Sequence, residues 1–259
     1  MPYLGLKRQL GKLWSVSRHG RKIILLYHSV GNSIWALSTK IFYDQINWLC
    51  DNCEVMSLTD LLRVKSNKNI QVALTFDDGY TSLHDHVASK LSDNKINGTV
   101  YINTGWISED ENNHKKTVAE LGHYPDESFL TWQEVKNLYV AGWEIGSHGV
   151  NHYNFVRKPY DLMHNELIVS KLNIENKLNI NCIHFAYPWG RYSKQVKECV
   201  HIVGYKYAAA GYHAPLNKTT DLFALPRLNI AKEYSFNDFK NIILGKWDYL
   251  GIIQKIRGL

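Results

Sequence analysis

Two adjacent aspartates, Asp77 and Asp78, stand directly after the apolar run at residues 72–76 and before a glycine. Such a run predicts a buried strand of a parallel sheet, and α/β proteins place their functional sites at the carboxyl edge of that sheet. At the end of a strand, the side chains of two adjacent residues point in different directions. One aspartate can therefore coordinate a metal ion while the other faces the group that the metal activates. A solvent-exposed Asp-Asp-Gly turn is the alternative interpretation.

Two histidines, His148 and His152, follow a second strand-like run at residues 143–147 in the same way. Residues four apart lie on one face of a helical turn, so this spacing predicts that both imidazoles reach one ion. Two imidazoles and one carboxylate make an open three-ligand site with room for water, as in hydrolytic zinc enzymes. Together with Asp77 and Asp78, the histidines predict a hydrolytic metal centre.

The elements that must position these residues are short β-rich runs that alternate with amphipathic stretches. This alternation is typical of a parallel sheet crossed by helices. Strands are predicted over residues 23–28, 72–76, 99–102, 143–147, 183–186 and 207–210. Helices are predicted over residues 41–51, 58–65, 83–94, 132–141, 160–178 and 194–203. The polar stretch at residues 103–129 shows no periodic spacing of apolar residues and is predicted to be a long functional or mobile loop.

Three short segments resemble the motifs of a known family. TFDDG at residues 75–79 and SHGVNH at residues 147–152 resemble the first two motifs of the polysaccharide deacetylases, the NodB-homology family of carbohydrate esterases (family 4). YPWG at residues 187–190 resembles the third motif, and the similarity runs from about residue 23 to about residue 230. The resemblance implies an α/β fold, a distorted (β/α) barrel of seven or eight strands. It also implies a metal, usually Zn²⁺ with Co²⁺ or Ni²⁺ as alternatives, and removal of acetyl groups from N-acetylglucosamine or related sugars.

The resemblance also implies a role for individual residues. Asp78, His148 and His152 would bind the metal. Asp77 would be the catalytic base that takes a proton from the water activated by the metal. The backbone N–H of Trp189 would help to hold the oxyanion.

Departures from the family pattern concern the acid and the groups around the base. Many members carry an arginine at the start of the third motif and a histidine in a late Leu-x-His motif, and neither is present here. The variant resembles the branch that acts on poly-N-acetylglucosamine, in which a histidine on the first strand is thought to be the acid. The matching residue is His28, with a structural strand-end histidine as the alternative, and His213 is the reserve acid. Arg227 is expected either to orient Asp77 or to form a structural salt bridge.

Aromatic residues are candidates for contact with sugar rings. The expected substrate-binding residues are Tyr80, Trp106, Tyr187 and Trp189, although most aromatic side chains pack in cores. The expected substrate is an N-acetylated glycan or glycolipid. An O-acetyl ester or a formamide of a sugar is the alternative substrate, and a glycan-binding protein that has lost activity is the alternative function.

The chain has 259 residues, of which 45% are apolar, and a formal charge of +6 that is spread along the sequence. A single domain is expected, with its core at residues 22–232, a basic extension at residues 1–21 and an amphipathic segment at residues 235–259. Because the positive excess is modest and not concentrated, no nucleic-acid partner is expected.

Both ends of the chain combine cations with apolar and aromatic residues. That composition suits peripheral contact with an anionic membrane surface, and packing against the domain is the alternative. The first long apolar run, at residues 23–27, is too short for an export signal or a membrane span. The expected location is therefore the cytoplasm, including the inner face of the cytoplasmic membrane. A nucleotide-linked or lipid-linked precursor of a surface glycan is the expected substrate.

Overall fold

The computed structural model describes residues 4–14 and 20–256. Its strands are β1 (Lys22–Tyr27), β2 (Glu54–Val55), β3 (Gln71–Phe76), β4 (Thr99–Ile102), β5 (Glu144–Ser147), β6 (His184–Ala186), β7 (Tyr207–Ala209) and β8 (Leu228–Asn229). They form one sheet in the order β7-β6-β5-β4-β3-β1-β8, with β2 paired to β3 outside this path. A further parallel bridge from Ala209 to Leu225 connects β7 to the segment before β8, so the sheet curls towards closure. This curled parallel sheet agrees with the predicted distorted barrel.

Helices cover the sheet and connect its strands. They are α1 (Leu4–Leu13), α2 (Thr39–Asn52), α3 (Leu58–Arg63), α4 (Ala88–Asp93), α5 (Trp132–Val140), α6 (Tyr160–Leu178), α7 (Lys194–Ile202), α8 (Phe236–Ile243) and α9 (Tyr249–Ile256). Among the residues that the structure describes, none of these helices combines the length and the apolar character needed to cross a bilayer.

The predicted elements correspond closely to the observed ones. The six predicted strands are confirmed to within one residue at each end, and five of the six predicted helices to within two. The exception is residues 83–94, where a π-helical turn (Leu83–Val87) precedes α4. The two-residue strands β2 and β8 were not predicted, because so short a segment shows no period.

The centre of the sheet is a rigid base for the residues at the carboxyl end of β3. Every residue of β3 is buried, as expected for a parallel strand covered on both faces. Its last residue, Phe76, stacks on Tyr27 with ring centroids 5.4 Å apart and also packs against Trp143. Each large apolar side chain buried in this way contributes about 1.5–3 kcal/mol. The backbone of Asp77, the residue after β3, is therefore held firmly in place.

Strand register determines which residues meet at the carboxyl edge. β1 and β3 pair in register from Lys22 and Gln71 to Tyr27 and Phe76. The residue that follows each strand, His28 or Asp77, is thereby placed at the same level of the sheet. β4 and β5 also end together, because Ile102 pairs with Ser147. This register brings the sequence-distant motifs to one edge.

The long stretch predicted as a loop is anchored at several points. Isolated bridges join Tyr80 to Phe129 and Lys116 to Ser128, and a short 3₁₀ turn covers Ala119–Leu121. Its residue His123 is fully buried. Gly122 and Tyr124 of this stretch line a cavity beside the ends of β1 and β3, so the predicted loop is held in place and forms part of the cavity wall.

The N-terminal helix packs against the C-terminal helices. Arg8 pairs with the buried carboxylate of Asp238 at 2.6 Å, and the hydroxyl of Tyr249 donates to the Lys7 carbonyl at 2.8 Å. The predicted basic extension and amphipathic C-terminal segment thus contact one another through α1, α8 and α9. Residues 1–3, 15–19 and 257–259 of these segments lie outside the described residues.

Candidate metal centre and catalytic site

The end of β3 turns sharply to separate the two aspartates. The Asp77 N–H still donates to the Tyr27 carbonyl at 3.0 Å, which continues the ladder, whereas Asp78 has a left-handed backbone with φ 74°. Gly79 comes next with φ 80°, and a Cβ there would lie 2.9 Å from a methyl carbon of Ile102. Only glycine fits this position without strain. The turn is therefore a fixed feature that presents both carboxylates at the edge of the sheet.

The two histidines lie on a loop rather than on a helix. His148 directly follows β5, and its N–H donates to the Ile102 carbonyl at 2.8 Å. Gly149 has φ 85° and His152 has φ 58°, values that no right-handed helical turn contains. The predicted helical turn is wrong, but the two rings still approach to 5.1 Å between centroids. The His148 and His152 rings are therefore close, as their four-residue spacing predicted, but a loop brings them together and not a helix.

Glu166, a buried glutamate of α6, holds this loop. One of its carboxylate oxygens accepts from the backbone N–H groups of Val150 and Asn151, both at 2.9 Å. The other oxygen accepts from the Asn151 side-chain amide at 2.6 Å. Sequence reasoning missed Glu166, although a signal was present: it is charged, yet it lies on the helix face whose other members Met163 and Leu167 are buried.

The donor atoms of Asp78, His148 and His152 lie within 4.8 Å of one another. Asp78 Oδ1 is 3.4 Å from His152 Nε2 and 3.6 Å from His148 Nε2. The Nδ1 atom of His148 donates to the Ala186 carbonyl at 2.8 Å, and that of His152 donates to the Leu121 carbonyl at 3.3 Å. Because each Nδ1 carries the hydrogen, each Nε2 keeps its lone pair for an ion. This donor set fits a divalent transition metal such as Zn²⁺.

Protonation states at neutral pH agree with that fit. Burial lowers the pKa of His148 to about 4, so its imidazole is neutral. For Asp78, burial acts to raise the pKa, but His152, His28 and His148 outweigh it and bring the value to about 2. The site thus offers a neutral imidazole and an ionised carboxylate, the forms that bind metal.

Asp77 is held by a buried arginine. Arg227 donates from Nη1 to Asp77 Oδ1 at 2.6 Å and from Nη2 to Asp77 Oδ2 at 2.8 Å, while its Nε donates to the Ala210 carbonyl. Burial acts to raise the pKa of Asp77, but the charge of Arg227, then His148, brings it below its usual value. The two interpretations of Arg227 therefore describe one interaction, a salt bridge that also orients Asp77. Asp77 Oδ2 lies 3.8 Å from His148 Nε2, beside the candidate metal ligands.

These residues line a cavity of about 560 Å³ at the carboxyl edge of the sheet. The predicted metal ligands, Asp77 and Arg227 all lie in its wall, together with His28, Trp189 and His213. Trp189 has φ 63° and a half-exposed side chain whose ring centroid is 5.5 Å from that of His152. The structure thus brings together all of the predicted catalytic and metal-binding residues.

Two histidines compete as proton donors in this cavity. His28 is half-buried, and its ring stacks on that of Tyr124 at 5.4 Å between centroids. Burial, followed by the charges of Arg21 and Lys7, lowers the pKa of His213 to about 3. A group that is neutral throughout the physiological range is a poor general acid, so His28 is the better candidate. Tyr124, which sequence reasoning did not single out, orients the His28 ring.

Three predicted substrate-binding aromatics lie outside the cavity wall: Tyr80 and Tyr187 are buried in the core, and Trp106 is half-buried. Tyr80 is fully buried and its hydroxyl accepts from the Tyr124 N–H at 2.9 Å. Tyr187 is fully buried, with its hydroxyl donating to the Phe223 carbonyl. Trp106 packs edge-on against the His123 ring at 4.9 Å. Burial keeps the rings of Tyr80 and Tyr187 away from any sugar, so these two predicted contacts are corrected, whereas the predicted contact of Trp106 stays a prediction.

Comparison with known proteins agrees with this site. The model of one protein family, polysaccharide deacetylase, matches residues 65–208, more than half of the chain. The chain belongs to the polysaccharide deacetylase family. The matched range includes Asp77, Asp78, His148, His152 and Trp189. The resemblance seen in the three sequence motifs is confirmed.

This polysaccharide deacetylase family member is similar to several other proteins. YxkH of Bacillus subtilis (strain 168), which is named as a polysaccharide deacetylase, is 24% identical over 224 residues, covering 83% of this chain and 74% of that protein. The Streptococcus pyogenes deacetylase PplD, solved in complex with acetate, has a TM-score of 0.73 at 22% identity, covering 87% of this chain and 99% of that one. A de-N-acetylase from Aggregatibacter actinomycetemcomitans has a TM-score of 0.71 at 20% identity, covering 86% and 99% respectively. The predicted fold class, a distorted (β/α) barrel, is confirmed.

Glu166 gives a testable prediction for this family member. Glu166→Ala removes three hydrogen bonds to the histidine loop. Replacing a group that orients metal ligands typically weakens metal binding by about 10–100-fold, and we expect Glu166→Ala to lower Zn²⁺ affinity by that factor. Zn²⁺ titration against a competing chelator measures it. Glu198→Ala, which changes an exposed glutamate on α7, is the control; equal affinity of the Glu166 variant and this control would contradict the prediction.

Proposed function

We propose that this protein is a metal-dependent N-deacetylase of an N-acetylated amino sugar in a surface polysaccharide or in its lipid-linked or nucleotide-linked precursor. The observation that carries the proposal is the convergence of Asp78, His148 and His152 on one point beside an Asp77 that Arg227 fixes. Two structural relatives support this substrate class: one was solved with acetate, the product of any deacetylation, and the other is named a de-N-acetylase.

Asp78, His148 and His152 would hold the metal, for which we propose Zn²⁺, with Co²⁺ or Ni²⁺ as substitutes. A divalent ion held there would act as a Lewis acid, lowering the pKa of a bound water and polarising the acetamide carbonyl. The Nδ1 hydrogen bonds to the Ala186 and Leu121 carbonyls hold both imidazoles in the orientation that binding requires.

Asp77 is proposed as the general base. Its carboxylate is ionised, buried and held by two hydrogen bonds from Arg227, so it cannot rotate away from the ligands. It accepts a proton from the water that attacks the acetamide carbon. The backbone N–H of Trp189, a residue that lines the same cavity, is proposed to donate to the oxyanion that forms. The C–N bond then breaks, and the departing amine needs a proton.

His28 is proposed to supply that proton. We expect His28→Ala to lower kcat by about 100-fold or more, which is the usual contribution of a positioned acid, while metal content stays at the wild-type level. Acetate release and metal analysis on the same preparation measure both quantities. His213→Ala is the matched control on the same cavity wall and should leave kcat within a few-fold of wild type. If His213→Ala lowered kcat and His28→Ala did not, His213 would be the acid. If His28→Ala lost its metal, His28 would have a structural role.

Acetate release from an N-acetylglucosamine oligomer tests the proposed function directly. The zinc-reconstituted protein should release acetate, whereas the metal-free protein and Asp78→Ala should not. An O-acetylated sugar and an N-formylated sugar serve as parallel substrates, and faster hydrolysis of either would reassign the substrate class. Oligomer binding without acetate release under every metal tested would contradict an enzymatic role.

A further inference from the structure

Helix α1 exposes a leucine face to solvent, formed by Leu6, Leu10 and Leu13. These side chains are 52%, 37% and 85% exposed, respectively. At about 100° per residue, the three lie within about 60° of one another around the helix axis. The opposite side of α1 is packed: Gly11 is buried, and a Cβ on it would lie 2.9 Å from the Trp247 ring. The leucine face is thus the outer side of a helix whose inner side already has its partner.

The leucine face is fixed to the body of the protein. Arg8 makes a bidentate pair with the buried Asp238, and the Lys7 ammonium lies 3.3 Å from the Tyr234 hydroxyl. The hydroxyl of Tyr249 donates to the Lys7 carbonyl. Because α1 is held by α8 and α9, the three leucines stand as a preformed apolar surface.

Helices α1 and α9 contribute cations only, although Asp238 of α8 pairs with Arg8 and Asp248 lines the neighbouring cavity. The α1 sequence contains Lys7, Arg8 and Lys12 and no acidic residue, and α9 contains Lys255 and no acidic residue. Next to the C-terminal end of α1, Trp14 lines a cavity together with Ile252 and Lys255 of α9. An amphipathic helix with exposed leucines and cations matches an anionic lipid surface, where the leucines enter the headgroup boundary.

We propose that the leucine face docks this protein on an anionic lipid bilayer. A second copy of the chain is a poorer occupant, because the chain carries a formal charge of +6 and two such faces would bring like charges together. The bilayer supplies both the apolar interior for Leu6, Leu10 and Leu13 and the negative charge for Lys12.

Docking would bring the lipid surface to the outer side of α1, a helix whose inner side contributes to the wall of the catalytic cavity. Lys7 of α1 and Leu250 and Ile253 of α9 line the same cavity as Asp77 and Asp78. If the proposed deacetylase function holds, this arrangement suits a sugar carried on a lipid through a phosphate, with Lys7 near the phosphate. This step rests on the proposed function, whereas the docking itself does not.

Vesicle sedimentation with the 259-residue chain tests the docking. Phosphatidylcholine vesicles containing phosphatidylglycerol should bind the protein, and pure phosphatidylcholine vesicles should bind it weakly. The triple variant Leu6→Ser, Leu10→Ser, Leu13→Ser should lower the apparent partition constant by about tenfold or more. The matched control is Val140→Ser with Ile202→Ser, which removes exposed apolar side chains elsewhere and should bind like wild type.

Three results would overturn the docking proposal. They are unchanged partitioning of the triple variant, equal binding to neutral and anionic vesicles, and a wild-type dimer in light scattering that the triple variant dissociates. The last result would make the leucine face a protein interface. Asp78→Ala should still bind vesicles while the triple variant still releases acetate from a soluble oligomer. Failure of the docking and failure of the proposed function are therefore observed separately.

Discussion

Asp77→Asn is expected to lower kcat for acetate release by about 10²–10⁴-fold, while zinc content stays at the wild-type level. The amide has nearly the shape of the carboxylate but cannot accept the proton of the attacking water. Asp77 is not one of the three converging ligands, so the metal should remain. Acetate release under saturating oligomer and metal analysis of the same sample measure the two effects.

Asp78→Asn is the matched control for this prediction. It changes the neighbouring carboxylate by the same number of atoms, but Asp78 Oδ1 is the atom that both His148 Nε2 and His152 Nε2 face. We expect this variant to lose zinc together with activity. If Asp77→Asn also lost its zinc, or kept wild-type kcat, Asp77 would not be the base.

Arg227→Met is expected to lower the free energy of unfolding by about 3–5 kcal/mol, because it leaves the buried Asp77 carboxylate without its counter-charge. Arg227 is fully buried, and both of its hydrogen bonds to Asp77 would be lost. The activity should also fall, since Asp77 would no longer be held in position beside the ligands. Urea unfolding at fixed zinc concentration and kcat on the same preparation test both expectations.

The double variant Asp77→Asn with Arg227→Met separates stability from catalysis. Removing both charges leaves no unpaired ion, so part of the stability lost in Arg227→Met should return. Activity should stay as low as in Asp77→Asn. A double variant that is less stable than either single variant, with additive losses, would show that the two side chains do not act as a pair.

The sequence predicted the strands and helices well because long apolar runs and amphipathic periods are local signals. Phe76 and Ser147 end strands whose burial follows from their composition, and the polar residues after them had to emerge at the edge of the sheet. The short strands β2 and β8 have no such local signal. β8 nevertheless pairs with β1, and Arg227, the residue before β8, reaches Asp77 with its long side chain.

The geometry of the histidine loop could not be derived from spacing. A separation of four residues suggested a helix, but left-handed backbone at Gly149 and His152 produces the approach of the rings instead. Glu166, which holds the loop, belongs to a helix later in the chain. Its role depends on how α6 packs on the sheet, and that is a property of the whole fold.

By itself, the sequence determined the order of elements, the two aspartates and two histidines that could form a hydrolytic metal site, and the family that they resemble. Only the tertiary structure decided that Arg227 meets Asp77 across the sheet, that His28 rests on Tyr124, and that Tyr187 belongs to the core. It also decided which face of α1 remains exposed. The physical reason is the same in each case. Residue type and apolar periodicity are local properties of the sequence, whereas strand register and helix packing bring together residues that are far apart in it.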